Sequence, residues 1–372
     1  MRGHKIIFSC FFVLFSVSFA FCQTESLKTV VNNLALYKEK KDLKYLGNAK
    51  KQIDSVLKAS PDSLDLEKNV YKILINASIL YIDSLNKLNQ PAALFAQTTD
   101  LFDKLSVNRR IYRYTEELDF ARVCLANVYM RKAFVFINKS DFVNALKLYK
   151  DAEKYTPSFK PLKAHIAYVN NKLGNINTAV KYYTELAEDD STKAEYVEAA
   201  STIYKSLGDT DLALNIVKHG RELLPDDKSI LLDEANIYNN REDYQSLLQL
   251  LPVLLDIYPN NADIAFVAAN CYDHLDQYDQ AEKLYLHAID INTSAYEPIF
   301  NLGLLYLKEI EINKRKNNYR NALQAAQWLE KANEISPNEI KCLKALEMVY
   351  TETGNTNQLY RINNQLKQLT NQ

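Results

Sequence analysis

Alanine recurs at Ala145, Ala179, Ala213 and Ala281, on a lattice of 34 residues whose missing rung is filled by Leu247. Tyr204, Tyr238, Tyr272 and Tyr306 keep the same step, and Ala133, Ala167, Ser201, Ala235, Ala269 and Gly303 keep it with small side chains only. Three registers on one period constrain the chain to a solenoid of stacked helix pairs. A unit of this length cannot bury its apolar face alone and must lean on its neighbours. Such an array grows in one dimension, so a length of 372 residues implies one continuous stack rather than two or three separate cores.

The turns mark out the pairs. Helices are expected near 26–40 and 43–59, then 63–88 and 91–106, followed by a regular part: 114–138 with 141–155, 161–173 with 176–188, 193–207 with 210–223, 228–240 with 243–257, and 262–274 with 277–291. Gly174 and Gly208, one period apart, fall at the ends of first helices, where a left-handed cap residue is needed. Pro157, Pro225 and Pro259 close second helices, which proline cannot continue. From Ala281 to Ala325 the step is 34 residues plus ten, and the extra residues fall near 308–320. A first helix over 295–315 should overshoot its neighbours there and present Lys314, Arg315, Lys316 and Arg320, either as a solvated overhang or as a docking overhang. The last pair, 338–353 with 356–370, ends rich in Asn and Gln and should cap the stack with a polar face. Before residue 110 the period fails, so residues 23–110 form irregular N-terminal pairs and 111–372 the array proper.

The first 22 residues differ in kind. Arg2, His4 and Lys5 precede the apolar run Ile6–Phe15, and small residues lead to Ala20-Phe21-Cys22. That is the layout of a secretory signal peptide, with cleavage before Gln23 or, alternatively, after Ala20. Phe21 is bulky where a lipoprotein signal has Gly or Ala, which argues against a lipid anchor at Cys22. No later stretch has the roughly 18 apolar residues of a membrane span. Removing this segment loses Arg2 and Lys5 and takes the formal net charge from −1 to −3. A chain so nearly neutral gives no sign of the basic face that nucleic acid calls for, and no nucleic-acid partner is expected. Three cysteines remain, Cys124, Cys271 and Cys342. Helices packed about 8–10 Å apart would hold Cys271 and Cys342, two repeats apart, beyond the roughly 7 Å reach of a disulfide. Three unpaired, mostly buried thiols are expected.

Within each period, small residues sit at the eighth and twentieth positions and large apolar ones at the eleventh and twenty-fourth, with proline often at the thirty-second. In the unit ending at Pro157 these are Ala133, Phe136, Ala145, Tyr149, Ala152 and Pro157; in the next-but-one they are Ser201, Tyr204, Ala213, Val217, Gly220 and Pro225. This pattern resembles the tetratricopeptide repeat. Five or six units match well, and the first two pairs match chiefly at Ala49, Ile53 and Pro61. The resemblance implies an all-α, right-handed superhelical solenoid of about nine antiparallel helix pairs, with first helices lining a concave surface that binds peptides or protein segments.

Positions two, five, nine and twelve of a helix share one face. On that face lie Asn127, Met130, Phe134 and Ile137; then Ala164, Tyr168 and Asn171; then Glu195, Glu198, Thr202 and Lys205; then Ser229, Leu232, Asn236 and Asn239; then Asp263, Phe266, Asn270 and Asp273. An asparagine amide both donates and accepts, so Asn127, Asn171, Asn236, Asn239 and Asn270 could hold the backbone of an extended peptide, with Phe134, Tyr168 and Phe266 supplying apolar contacts. Relatives that grip an acidic C-terminal tail carry a lysine four residues before the groove asparagine. Leu232 and Phe266 stand there instead, so an internal segment or folded surface is the expected ligand.

Signatures of catalysis are missing. Seven glycines leave no phosphate-cradling loop, and neither a Gly-x-Ser-x-Gly elbow nor a His-Glu-x-x-His motif occurs. His165, His219, His274 and His287 lie in separate helices, and the cluster Glu185, Glu188, Asp189, Asp190 reads as a solvated edge; no metal or cofactor is expected. These features describe a non-catalytic scaffold of the cell envelope, in the periplasm or on the periplasmic face of the outer membrane of a Gram-negative bacterium. It would bind a partner protein, with an accessory subunit of an outer-membrane assembly or secretion complex as a special case; a carbohydrate or small-ligand binding component of an envelope uptake system is the alternative.

Overall fold

The computed structural model describes residues 25–58, 63–312 and 319–370. The signal-peptide segment, Pro61, and Lys314, Arg315 and Lys316 of the overhang lie outside the described residues. Among those described there are eighteen α-helices, the number nine pairs require, and no strand. In chain order they are α1 (Glu25–Lys40), α2 (Leu43–Val56), α3 (Leu66–Ile82), α4 (Leu94–Ser106), α5 (Thr115–Ile137), α6 (Phe142–Tyr155), α7 (Lys160–Lys172), α8 (Ile176–Ala187) and α9 (Ala194–Ser206). There follow α10 (Thr210–Leu223), α11 (Lys228–Asn240), α12 (Tyr244–Ile257), α13 (Ala262–His274), α14 (Tyr278–Ile291), α15 (Tyr296–Ile312), α16 (Tyr319–Ile335), α17 (Ile340–Thr353) and α18 (Thr356–Thr370). A 3-10 turn, Ile111–Tyr114, precedes α5.

The chain forms two compact units, one ending at Asn175 and the other beginning at Ile176. In the first, Leu27 and Val30 of α1, Leu46, Ala49 and Ile53 of α2, and Tyr71, Ile75 and Ile79 of α3 make one core. The change of register near residue 110 falls inside this unit, where α3 packs on α5 as well as on α4. In the second unit, one core joins α11, α12 and α13, and a larger one runs from α13 to α18.

The lattice residues explain how closely the helices meet. Ala145, Ala179, Ala213, Leu247, Ala281 and Ala325 are all fully buried, as are Ala133, Ala167, Ser201 and Ala269. At two positions even alanine is too large: a Cβ on Gly303 would stand 2.7 Å from Leu329 Cγ, and one on Gly220 2.7 Å from Val197 Cγ1. Such approach densifies the contact between two helices, which is where dispersion and apolar burial accumulate.

The turns are periodic as well. Gly174 and Gly208 have φ of 76° and 82°, as the sequence requires, but Ser140, Glu242 and Asp276 occupy the same rung of the lattice with φ of 58°, 57° and 58°. After each, the next amide reaches back across the helix end: Asp141 N to Phe136 O at 2.9 Å, Asp209 N to Tyr204 O at 2.9 Å, Gln277 N to Tyr272 O at 2.9 Å. This is the six-to-one bond of a Schellman cap, which satisfies carbonyls that the helix itself leaves unpaired. The residue donating it often caps the following helix: Asp141 accepts from Asn144 N at 3.1 Å and Asp243 from Ser246 N at 3.2 Å.

Two expectations are corrected. The helix read as 63–88 spans only Leu66–Ile82. Its continuation is diverted because the buried carboxylate of Asp83 accepts from Lys87 N and Leu88 N, both at 2.8 Å, and the Asn86 side-chain amide donates to Gln90 O and accepts from Gln90 N. Side-chain acceptors of this kind compete directly with helix continuation. The insertion lengthens both α15 and α16 to 17 residues against 13 and 14 in the preceding pair. Cys124, Cys271 and Cys342 are buried free thiols.

Candidate partner-binding face

In the second unit, one set of helix positions stays out of the core. Glu195, Thr202, Ser229, Asn236 and Asp263 are exposed, and Glu198, Lys205, Leu232, Asn239, Phe266, Asn270 and Asp273 are half-buried. Their flanking residues, such as Val197, Ile230, Ala235, Ala265 and Ala269, point inward. Position on the helix decides this, as the 3.6-residue period requires.

Several of these side chains are already engaged. Lys205 Nζ pairs with Asp233, whose other oxygen accepts from Ser201 Oγ at 2.6 Å, so α9 is tied to α11. Asn270 Oδ1 accepts from Tyr285 OH at 2.6 Å and from Asn301 Nδ2 at 2.9 Å, tying α13 to α14 and α15. Asp273 and Asp276 each hold Lys308 Nζ at 3.3 Å, and that ammonium sits 4.9 Å from the Tyr278 ring centre. Burial pushes the Tyr285 phenol well above its usual range, so it stays a hydrogen-bond donor at any physiological pH. Asn270 and Asp273 therefore act first as ties between successive repeats. Thr202, Asn236 and Asn239 are the predicted polar residues left on the surface for a ligand.

The first unit gives a mixed result. Phe134 and Tyr168 are exposed, at 41% and 38%, and Asn171 is exposed. Tyr168 meets the edge of Phe142 and lies under Lys172. Asn127 must be corrected: it is buried at 6%, and its Nδ2 donates to Val123 O at 2.8 Å on its own helix. It cannot also hold a peptide backbone. Neighbouring Asn170 is a second buried asparagine, spent on Ile166 O and on accepting from Asn175 Nδ2.

The positional rule extends further than the residues first picked out. Applied to α15 it selects Glu297, Phe300, Leu304 and Leu307, and applied to α17 it selects Lys341, Lys344, Met348 and Thr351. All of these but Glu297 and Thr351 line a cleft of about 580 Å³, together with Lys308 and Ala345. The α15 half of this signal keeps the 34-residue step and was open to the rule, whereas the α17 half was hidden, because the ten-residue insertion shifts the register of everything after it. Arg320, at the start of α16, is exposed.

Among the described residues no group of three or more His, Cys, Asp or Glu could hold a metal ion, and no helix is long and apolar enough to cross a membrane. His165 stacks flat on Tyr149, His274 on Tyr244, and Asp189 accepts from Ser191 N at 2.9 Å to close its turn.

The family model of the tetratricopeptide repeat matches residues 262–294, which span α13 and α14. The Bos taurus BBSome complex member BBS4 is 21% identical over 286 residues, covering 65% of this chain and 53% of that protein. The chain thus spans about half the length of this curated relative. Among solved structures, YrrB, described as a TPR protein with an unusual peptide-binding site, is 16% identical over 53% of this chain and 96% of its own, at a TM-score of 0.45. MamA from Desulfovibrio magneticus RS-1 is 17% identical over 48% of this chain and 96% of its own, with a TM-score of 0.41. A tetratricopeptide repeat protein from Parabacteroides merdae is 17% identical over 60% and 98%, with a TM-score of 0.40.

Proposed function

We propose that this chain of tetratricopeptide repeats is a non-catalytic scaffold that binds a partner protein on its first-helix face, in the envelope of a Gram-negative bacterium. One observation carries the reading: through α9, α11, α13, α15 and α17 the same four helix positions remain outside the core, with Leu307 the one buried exception. Four successive inter-repeat steps would not hold a face open if it served only packing. Binding there would draw on many modest contacts across a surface already fixed by the fold, which spares the cost of ordering it. The sequence of residues 1–22 supports export.

The test replaces residues that are exposed and make no tie between units. Thr202→Arg together with Asn236→Arg should abolish capture of the partner found by crosslinking in intact cells, with helical content unchanged. Undiminished capture would move the site elsewhere. Asn270 is unsuitable for this purpose, because its loss would also strip Tyr285 and Asn301 of their acceptor. N-terminal sequencing of the cell-derived protein tests export, and a chain beginning at Met1 would rule it out.

A further inference from the structure

The cleft between α15 and α17 differs from the rest of the face in two respects. Its floor is apolar, made by Phe300, Leu304, Leu307, Ala345 and Met348, and its polar lining is three lysines with no carboxylate among them. Lys308 is held by Asp273 and Asp276. Lys341 and Lys344 are exposed and, among the described residues, paired with no carboxylate. Resting on the scaffold reading above, we infer that this cleft docks an apolar side chain of a partner segment whose flanking residues are acidic.

The argument is one of complementarity. Phe300 and Leu304 are half-buried and Met348 is exposed, so the floor gains by further covering, while two unpaired ammonium groups at its rim favour an occupant that brings negative charge and reject a basic one. The rim is open: Met348 is 46% exposed, and both lysines stand on the outer turns of α17. A small ligand usually has most of its surface enclosed, whereas an open trough between two helices suits a peptide lying across them. The lysine stems can cover the apolar part of that peptide while their heads meet its carboxylates.

Fluorescence anisotropy on the full chain tests this with three labelled synthetic peptides: a Leu-Leu-Phe core between glutamates, the same core between lysines, and a serine core between glutamates. The first should bind, and the other two should bind at least about tenfold more weakly. K341E with K344E should weaken the first by a similar factor, and K341R with K344R should retain it, with helical content constant in both. Equal binding of the lysine-flanked or serine-core peptide, or indifference to K341E with K344E, overturns the inference, as does failure of the first peptide to bind at millimolar concentration. In cells, a photo-crosslinker at Met348 should capture the partner. Capture by a crosslinker at Asn236 but not at Met348 would refute this cleft while leaving the scaffold reading intact, and capture at neither would refute both.

Discussion

The first-helix face from α9 to α13 and its continuation on α15 and α17 occupy the same helix positions, yet they spend them differently. On the earlier stretch, charged and amide groups satisfy one another: Ser201 and Lys205 on Asp233, Tyr285 and Asn301 on Asn270. On the later one, apolar side chains line a cleft and Lys341 and Lys344 face solvent. Helix position decides which residues escape the core, but neighbouring side chains decide which of those remain available to a ligand. A half-buried asparagine with two donors on one oxygen is already part of the framework.

The contrast can be broken first at its base. Gly303→Val inserts a side chain where even a Cβ would stand 2.7 Å from Leu329 Cγ, and should cost about 3 kcal/mol by overpacking. In urea denaturation the midpoint should fall, and the glutamate-flanked peptide should lose its site; an unchanged midpoint would show that α15 and α16 do not need this approach. Tyr285→Phe removes the hydroxyl from the α13–α14 tie and should lower stability by about 1–2 kcal/mol, read in the same experiment. A change near zero would mean that Asn301 alone suffices for Asn270.

A matched pair sharpens the comparison further. Asp233→Asn breaks the tie to Lys205 and weakens that from Ser201, at a cost of about 1 kcal/mol, whereas Lys341→Gln should stay within about 0.5 kcal/mol of the parent. Equal effects would erase the distinction between framework and docking positions. A further effect should appear only in alkali. Burial raises the Cys271 and Cys342 thiols from 9.0 to about 11, so the folded state holds these protons more tightly than the unfolded one. The stability this brings is fully present below pH 9 and is lost as pH rises from 9 towards about 11. Urea midpoints measured across that window should fall, and Cys271→Ala with Cys342→Ala should flatten the decline.

Much of this architecture was legible in the sequence because small residues at fixed intervals have few uses other than close helix approach. The regular helices from α5 to α14 fell where Gly174, Gly208 and the closing prolines placed them. What stayed hidden depended on partners distant in sequence. Nothing local to Asn127 says that it is buried, and nothing local to Asn270 says that Tyr285 and Asn301 converge on it. The early end of α3 turned on Asp83, an ordinary helix residue until its carboxylate captures two amides. The α17 side of the cleft was obscured differently, by a shift of register that displaced a valid rule, while the α15 side kept the 34-residue step.

The left-handed residues at 140, 174, 208, 242 and 276 carry one further consequence. Glycine fills two of these places, while serine, glutamate and aspartate take up the same backbone in the others, a conformation that costs such residues roughly 1–2 kcal/mol each. Within the second unit, the turns at 208, 242 and 276 are therefore interchangeable joints. A chain severed at Gly208 and rejoined at Glu242 would meet the backbone geometry it left, one whole repeat shorter. A protein jointed in this way can change its length by whole repeats while each remaining pair keeps its own internal geometry, each repeat gained or lost adding or removing its own interface from the stability of the array.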